Sequence, residues 1–499
     1  MRRLRWFLAL ATGAIFMFGS DLRAQGERYI FALTQEGQVY GIADYDVAKF
    51  MGIPYAAPPI GPARWRAPTK APPRAEIFAA NRFGPSCPQA SEQVFETSVH
   101  TSEDCLTINI FSPAKMDDRL PVMVWIHGGG LISGTAGDPL YDGSVLARDG
   151  VVVVTFNYRL GALGWLGGAL LSKDDEEDGI GNYGMKDQIA ALRWVHDNIS
   201  AFGGDPNNVT IFGSSSGANA VAMLMASRRA TGLFQKAILQ SASFRELARD
   251  RKAAERAVQV FAQALGIGQL QMRQSGLQRI LAVQRKLAED PGLRPAYTID
   301  DSYVDEQLED AIRAGHEQHI PLLIGSNGFP YSPNAQSMSG ALLGKLSQMT
   351  TRLYPDSSKQ KDAPARIRTD WVFSEPTRFV ARAHAGHGSA TYRYLFDYVS
   401  ETAEAPEEGE EGQEIRFVFG TLGVHSGLYS HKDREVSNTM RTYWTNFAKY
   451  GDPNGSDVPA WRPQSVRDDL LLISNSGVTC GPDPMKERLD LIEHLTSLP

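Results

Sequence analysis

Runs of consecutive apolar residues mark the chain at 121–126 (Pro-Val-Met-Val-Trp-Ile), 151–156 (Val-Val-Val-Val-Thr-Phe), 209–212 (Val-Thr-Ile-Phe) and 320–324 (Ile-Pro-Leu-Leu-Ile). Short unbroken runs of this kind are the pattern of strands buried on both faces, as in a parallel sheet. Residues 102–111 end in an alternating strand, and 391–398 read as a further one. After Gln188, the positions of Ile189, Leu192, Trp194 and Val195 give an amphipathic helix, and Phe-Gly-Gly-Asp-Pro-Asn-Asn at 202–208 turns the chain into the next strand. The succession strand, helix, strand, turn, helix predicts an α/β fold with a central, mostly parallel sheet and helices on both faces.

Other stretches fill in around that order. Proline density over 41–68 prohibits helix and predicts an edge strand followed by a rigid surface loop. Residues 435–450 read as one amphipathic helix, stopped by Gly-Asp-Pro-Asn-Gly at 451–455. The seven glutamates within 401–414 predict a solvated loop.

Candidate chemistry begins where the 209–212 strand ends, at Gly213, Ser214, Ser215, Ser216 and Gly217. This Gly-x-Ser-x-Gly pattern places its central serine on a tight strand-to-helix turn that projects the hydroxyl outward. On its own the pattern carries little, since roughly 0.3 chance matches are expected in such a chain, so the neighbouring elements decide. They fit: a buried strand precedes it and a helix follows. The 121–126 strand stops at His127 and three glycines, 128–130, whose backbone N–H groups are left uncovered. An acyl-transfer site needs such donors aimed at the developing oxyanion.

Composition narrows the class. A net charge of -7 supplies no basic field for nucleic acid or anionic lipid. Arg2, Arg3 and Arg5, then an apolar run over 6–18 and small residues before Ala24, read as a secretory signal at 1–24, leaving 25–499 as a single α/β domain that is exported, periplasmic or secreted. The apolar run is too short to span a bilayer, so no membrane association is expected after cleavage. Of three cysteines, Cys87 and Cys105 close a short polar loop and are the expected disulfide, with Cys480 a free structural thiol. There is no internal repeat and no metal-ligand spacing. His384 and His387 lie three apart without further clustered ligands and are expected as a surface pair, so neither a metal nor a cofactor is expected.

The motifs together resemble the type-B carboxylesterase and cholinesterase family of the α/β-hydrolase fold, over nearly the whole chain after the leader. They include Phe-Met-Gly-Ile-Pro-Tyr-Ala from 50, Gly-Pro-Ser-Cys-Pro-Gln from 84, Ser-Glu-Asp-Cys-Leu from 102, Trp-Ile-His-Gly-Gly-Gly from 125, Asn-Tyr-Arg from 157, Phe-Gly-Gly-Asp-Pro from 202 and Tyr-Trp-Thr-Asn-Phe-Ala-Lys from 443. The resemblance implies Ser215 as nucleophile, the N–H groups of Gly129, Gly130 and Ser216 as oxyanion hole, a Cys87 to Cys105 disulfide, and salt bridges Arg64 to Glu103 and Arg159 to Asp187. It also implies a small-molecule ester substrate and no cofactor. Oligomeric state is left open.

Three positions depart from the family pattern. Pro330 occupies the register of the triad acid, Glu411 stands where the triad histidine belongs, and Ser214 replaces the glutamate that usually precedes the nucleophile. A serine hydroxyl needs a base to take its proton and return it to the leaving group, and proline offers no carboxylate. Two readings follow. One is a carboxylic ester hydrolase with weakened or unconventional activity, using Ser215 with Glu411 as its base; the other is a catalytically inactive homologue serving as a binding or interaction module. His425 would have to reach back to Ser215 to substitute for the missing imidazole. The resemblance assigns no base duty to His127, beside the glycines.

Overall fold

The computed structural model describes residues 28–90, 100–116, 119–172, 179–329, 344, 353–354, 363–400, 412–424, 429–465 and 467–496. Its strands are β1 (Arg28–Thr34), β2 (Gly37–Asp44), β3 (Val47–Pro54), β4 (Phe78–Ala79), β5 (Thr107–Pro113), β6 (Leu120–Ile126), β7 (Val152–Phe156), β8 (Gly204–Ser214), β9 (Lys236–Gln240), β10 (Ala248–Arg249), β11 (Tyr297–Thr298), β12 (Leu322–Asn327), β13 (Thr391–Asp397), β14 (Asp469–Ser474) and β15 (Gly477–Pro482). Thirteen of them form one sheet in the order β1-β2-β3-β5-β7-β6-β8-β9-β12-β13-β14-β15, with β4 beside β2; β10 and β11 pair separately. From β7 through β14 the neighbours run parallel, while β1, β2, β3, β5 and β7 meet antiparallel, as do β14 and β15. This is the mostly parallel α/β sheet expected of the chain.

The side-chain alternation of the central strands explains why the sheet needs two helical layers. Along β6, Val122, Val124 and Ile126 enter one core, and Met123 and Trp125 enter the other. On the first face the partners are Ile189 and Leu192 of α1 (Tyr183–Asn198) and Val221 of α2 (Ser216–Ala226). Three further helices, α3 (Arg251–Leu265), α4 (Leu308–Ala314) and α5 (Glu375–Gly386), follow. On the second face lie Phe417 and Val418 of α6 (Glu414–Phe419), and Met440, Trp444 and Phe447 of α7 (His431–Tyr450). An unbroken apolar run thus serves two cores at once, burying both sets of side chains at about 25 cal/mol per Å².

Two expectations need correction. Residues 47–54 form an interior strand instead of an edge, because β3 is paired to β2 on one side and β5 on the other, and its one proline, Pro54, is the last residue of the strand. Helix α7 starts at His431, four residues before the expected 435, because Ser430 caps it in a reciprocal pair with Asp433. It ends as expected at Gly451, whose φ of 72° is the left-handed cap that glycine adopts without strain. The Cys87–Cys105 disulfide is formed, Cys480 is free, and no helix among the described residues is long and apolar enough to cross a membrane.

Candidate active site

The serine turn is built by strain and close approach. Ser215 sits between β8 and α2 with φ 56° and ψ -127°, a conformation costly for any residue bearing a Cβ. Its own N–H bonds to the Gln240 carbonyl at 2.9 Å, and its carbonyl accepts from Asn219 N–H at 3.0 Å, so both sides of the turn are pinned. The flanking glycines are needed for space: a Cβ on Gly217 would lie 2.1 Å from the Ile126 carbonyl oxygen, and one on Gly213 2.6 Å from the backbone of Gly217. The end of β6 and the start of α2 therefore press together directly beneath the serine.

That contact also brings up the glycine loop. A Cβ on Gly128 would meet the Ser214 carbonyl at 2.7 Å and the Ser215 Cβ at 3.4 Å, so the start of the glycine loop packs against the serine turn. Gly129 and Gly130 have φ of 109° and 62°. Among the described residues their N–H groups have no hydrogen-bond partner. Ser216 opens α2, where a first-turn N–H has no intrahelical acceptor, and its hydroxyl is buried and unpartnered. The structure thus gathers Ser215, Gly129, Gly130 and Ser216 at the C-terminal ends of β6 and β8.

A cavity of about 580 Å³ opens alongside Gly130 and is walled by Ile132, Trp165, Leu166 and Phe261, with Arg249 at its polar side. Burial desolvates the Arg249 guanidinium and lowers its pKa. The indole N–H of Trp165 is buried without a partner.

His127 is fully buried and stacks on Tyr158 at 4.4 Å between ring centroids. Its Nδ1 lies 2.9 Å from the Gly128 carbonyl, which assigns the proton to Nδ1; Nε2 has no partner. Desolvation pulls its pKa from 6.5 to about 4, so the ring is neutral near pH 7. It braces the glycine loop and does not hydrogen-bond Ser215.

Beneath the turn lies a further carboxylate, the glutamate three residues after Glu411 in the 411–420 segment. Glu414, at the start of α6, is fully buried and accepts from Ser214 Oγ at 3.3 Å, Gln240 Nε2 at 3.0 Å and Asn327 Nδ2 at 2.7 Å. Trp444 Nε1 donates to Gln240 Oε1 at 3.1 Å and fixes that amide's orientation. Among the described residues no cation pairs with Glu414. The solvated glutamate-rich loop expected over 401–414 therefore does not extend to its last member.

The ion pairs implied by the resemblance are present. Arg64 holds Glu103 through two 2.5 Å bonds, and buried Arg159 grips Asp187 through two of 2.7 Å. Glu411, Pro330 and His425 lie outside the described residues, as does the leader at 1–24. Among the described residues the Ser215 hydroxyl has no hydrogen-bond partner, and none of the described histidines reaches it. The expected surface pair of histidines is also corrected: His384 is buried and His387 only half-exposed, because both bond to buried Glu317.

The model of the carboxylesterase family matches residues 30–353 and 335–490. A para-nitrobenzyl esterase of Bacillus subtilis is 37% identical over 486 residues, spanning 91% of this chain and 96% of its own. A fumonisin B1 esterase of Sphingopyxis macrogoltabida is 35% identical over 490 residues, with 91% and 88% covered. Among solved structures, a thermophilic PNB esterase matches with a TM-score of 0.81 at 34% identity, over 93% of this chain and 99% of its own.

Proposed function

The chain belongs to the carboxylesterase family, and on that premise we propose that it is an exported carboxylic ester hydrolase acting on small-molecule esters through an acyl-enzyme at Ser215. The N–H groups of Gly129, Gly130 and Ser216 serve as the oxyanion hole. The Glu411 carboxylate takes the hydroxyl proton as Ser215 attacks the ester carbon, then returns it to the departing alkoxide; water completes the cycle by the same route. The observation that carries this reading is the strained Ser215 turn abutting a loop whose donors are unoccupied. The cavity of about 580 Å³ with aromatic walls fits a nitrobenzyl-sized ester, the class named for the Bacillus subtilis relative.

Turnover is weaker than a full triad would give. With Pro330 at the acid position and a carboxylate in place of imidazole, the oxyanion hole carries more of the acceleration, about 2.7–4 kcal/mol per donor. Loss of a triad member leaves on the order of 10³- to 10⁴-fold over water. Para-nitrobenzyl ester hydrolysis by the purified chain, by Ser215→Ala and by Glu411→Gln tests the assignment. Wild type should exceed both variants, and equal rates for wild type and Ser215→Ala would remove Ser215 from the chemistry. The second reading, a non-catalytic binding module, is favoured by the three departures at 214, 330 and 411; it predicts ester binding without turnover and no covalent adduct with an organophosphonate. Export is tested by the mass of the mature N-terminus, expected after Ala24.

A further inference from the structure

At the opposite end of the sheet, a second polar cluster is formed by two segments distant in sequence. Residues 315–320 lead into β12, and the end of α5 leads into β13; these strands are parallel, so both segments lie at their N-terminal ends, away from Ser215. Glu317 is 4% exposed. Its Oε1 accepts from His384 Nδ1 at 2.8 Å and His387 Nδ1 at 3.0 Å, while its Oε2 is buried with no partner. The ring of His319 stacks on that of His387, with centroids 5.5 Å apart and planes 22° apart. Gly315, at φ 75°, lets the His387 ring lie over the backbone: a Cβ there would be 3.3 Å from its Nε2.

We propose that Glu317, His319 and His387 form a binding site for a divalent transition-metal ion of the zinc class. One ligand atom from each of the three lies within 4.8 Å of the others. Tetrahedral ligands at zinc distances are roughly 3.4 Å apart, so a small rotation of exposed His319 closes the set. Two imidazoles and one carboxylate are the donor mixture that zinc, cobalt and nickel accept and that calcium and magnesium do not favour. Each part of the cluster has a separate task. The metal takes the place of the proton between Glu317 Oε1 and His387 Nδ1, which already lie 3.0 Å apart, and His384 fixes the carboxylate from behind. The hydrogen bonds present account for Oε1 and, through the Gly315 carbonyl at 3.2 Å, for His319 Nε2, and leave the buried Oε2 without a partner. Because His319 is exposed, the fourth position faces solvent and takes water.

The site does not depend on the esterase reading and is tested without it. The full chain, stripped with chelator, is titrated with zinc chloride by calorimetry and with cobalt(II) by visible absorption, alongside His319→Ala, Glu317→Gln and, as control, His316→Ala. His316 is an exposed neighbour bonded to Glu306 and outside the cluster. The expected result is one zinc per chain, cobalt d–d bands of a nitrogen and oxygen site, and affinity lowered about tenfold or more in His319→Ala. His316→Ala should match the wild type. Absence of zinc binding by the stripped chain, or equal binding by a folded His319→Ala, would overturn the proposal.

Discussion

Lowering the pH from 7.5 to 4.5 should leave His127 uncharged in the folded chain. Its ring is sealed between Tyr158 and the glycine loop, and a second ring proton would sit on Nε2, which has no acceptor. Desolvation therefore holds the folded pKa near 4, below the ordinary imidazole value of 6.5. The sign follows from which state binds the proton. The unfolded chain protonates below 6.5 and the folded chain only near 4, so stability is complete above 6.5 and is lost as pH falls between those values. At about 1.4 kcal/mol per unit, the loss from this residue by pH 4.5 is about 2–3 kcal/mol. His127→Asn keeps an N–H that can reach the Gly128 carbonyl and removes the titration. Urea unfolding of both proteins at both pH values cancels the contribution of every other group: the variant should lose about 2–3 kcal/mol less than wild type. Nitrogen-15 imidazole spectra supply a direct readout, with one resonance, absent in the variant, still neutral at pH 5. Equal losses in the two proteins, or a His127 resonance titrating near 6.5, would refute the desolvation argument.

Other outcomes follow from the same geometry. Gly217→Ala places a methyl group 2.1 Å from the Ile126 carbonyl, so it should cost about 1–3 kcal/mol and sharply slow phosphonate labelling of Ser215, measured by thermal melting and intact mass. Glu414→Gln turns one acceptor into a donor facing Ser214, Gln240 or Asn327, and should destabilise the chain by about 1–3 kcal/mol in urea. Replacing Cys87 and Cys105 by alanine frees a loop of sequence separation 18 and should lower stability by about 3 kcal/mol, a loss that reducing agent reproduces in the wild type.

What could be read in advance was what local pattern determines. The buried strands and the serine turn announce themselves because consecutive apolar residues and Gly-x-Ser-x-Gly are contiguous signals. The interior position of β3 was hidden because strand order is set by partners far away in sequence: β5 lies some fifty residues on, and proline density said only that helix was forbidden. Glu414 was hidden by its company. In a run of glutamates it reads as solvated, and only the fold reveals that α6 turns it inward against Ser214, Gln240 and Asn327, whose positions span more than a hundred residues. His384 and His387 were misjudged for the same reason, since Glu317 lies about seventy residues before them. Periodicity identifies which faces are apolar; it does not identify a polar partner brought in by another element.

The Ser214 and Glu414 contact bears on how a carboxylate could stand in for an imidazole. Two carboxylates within hydrogen-bonding distance cannot both ionise, so a glutamate at 214, the family's usual residue, would have to share a proton with Glu414. A serine there donates instead, at 3.3 Å, and with Gln240 and Asn327 supplies the buried Glu414 side chain with three donors. The strand end therefore carries one acidic group fewer than the family pattern. Under the proposed roles, Glu411 adds one back, on the side of the base. The swap from glutamate and histidine to Ser214 and Glu411 leaves the number of carboxylates at those two positions unchanged, and Pro330 in place of the triad acid lowers the total by one. It removes the repulsion that a third one would exert on a developing oxyanion and on an ionised Glu411. Under the proposed roles, a neutral residue before the nucleophile spares a Glu411 base the repulsion that a glutamate at 214 would add.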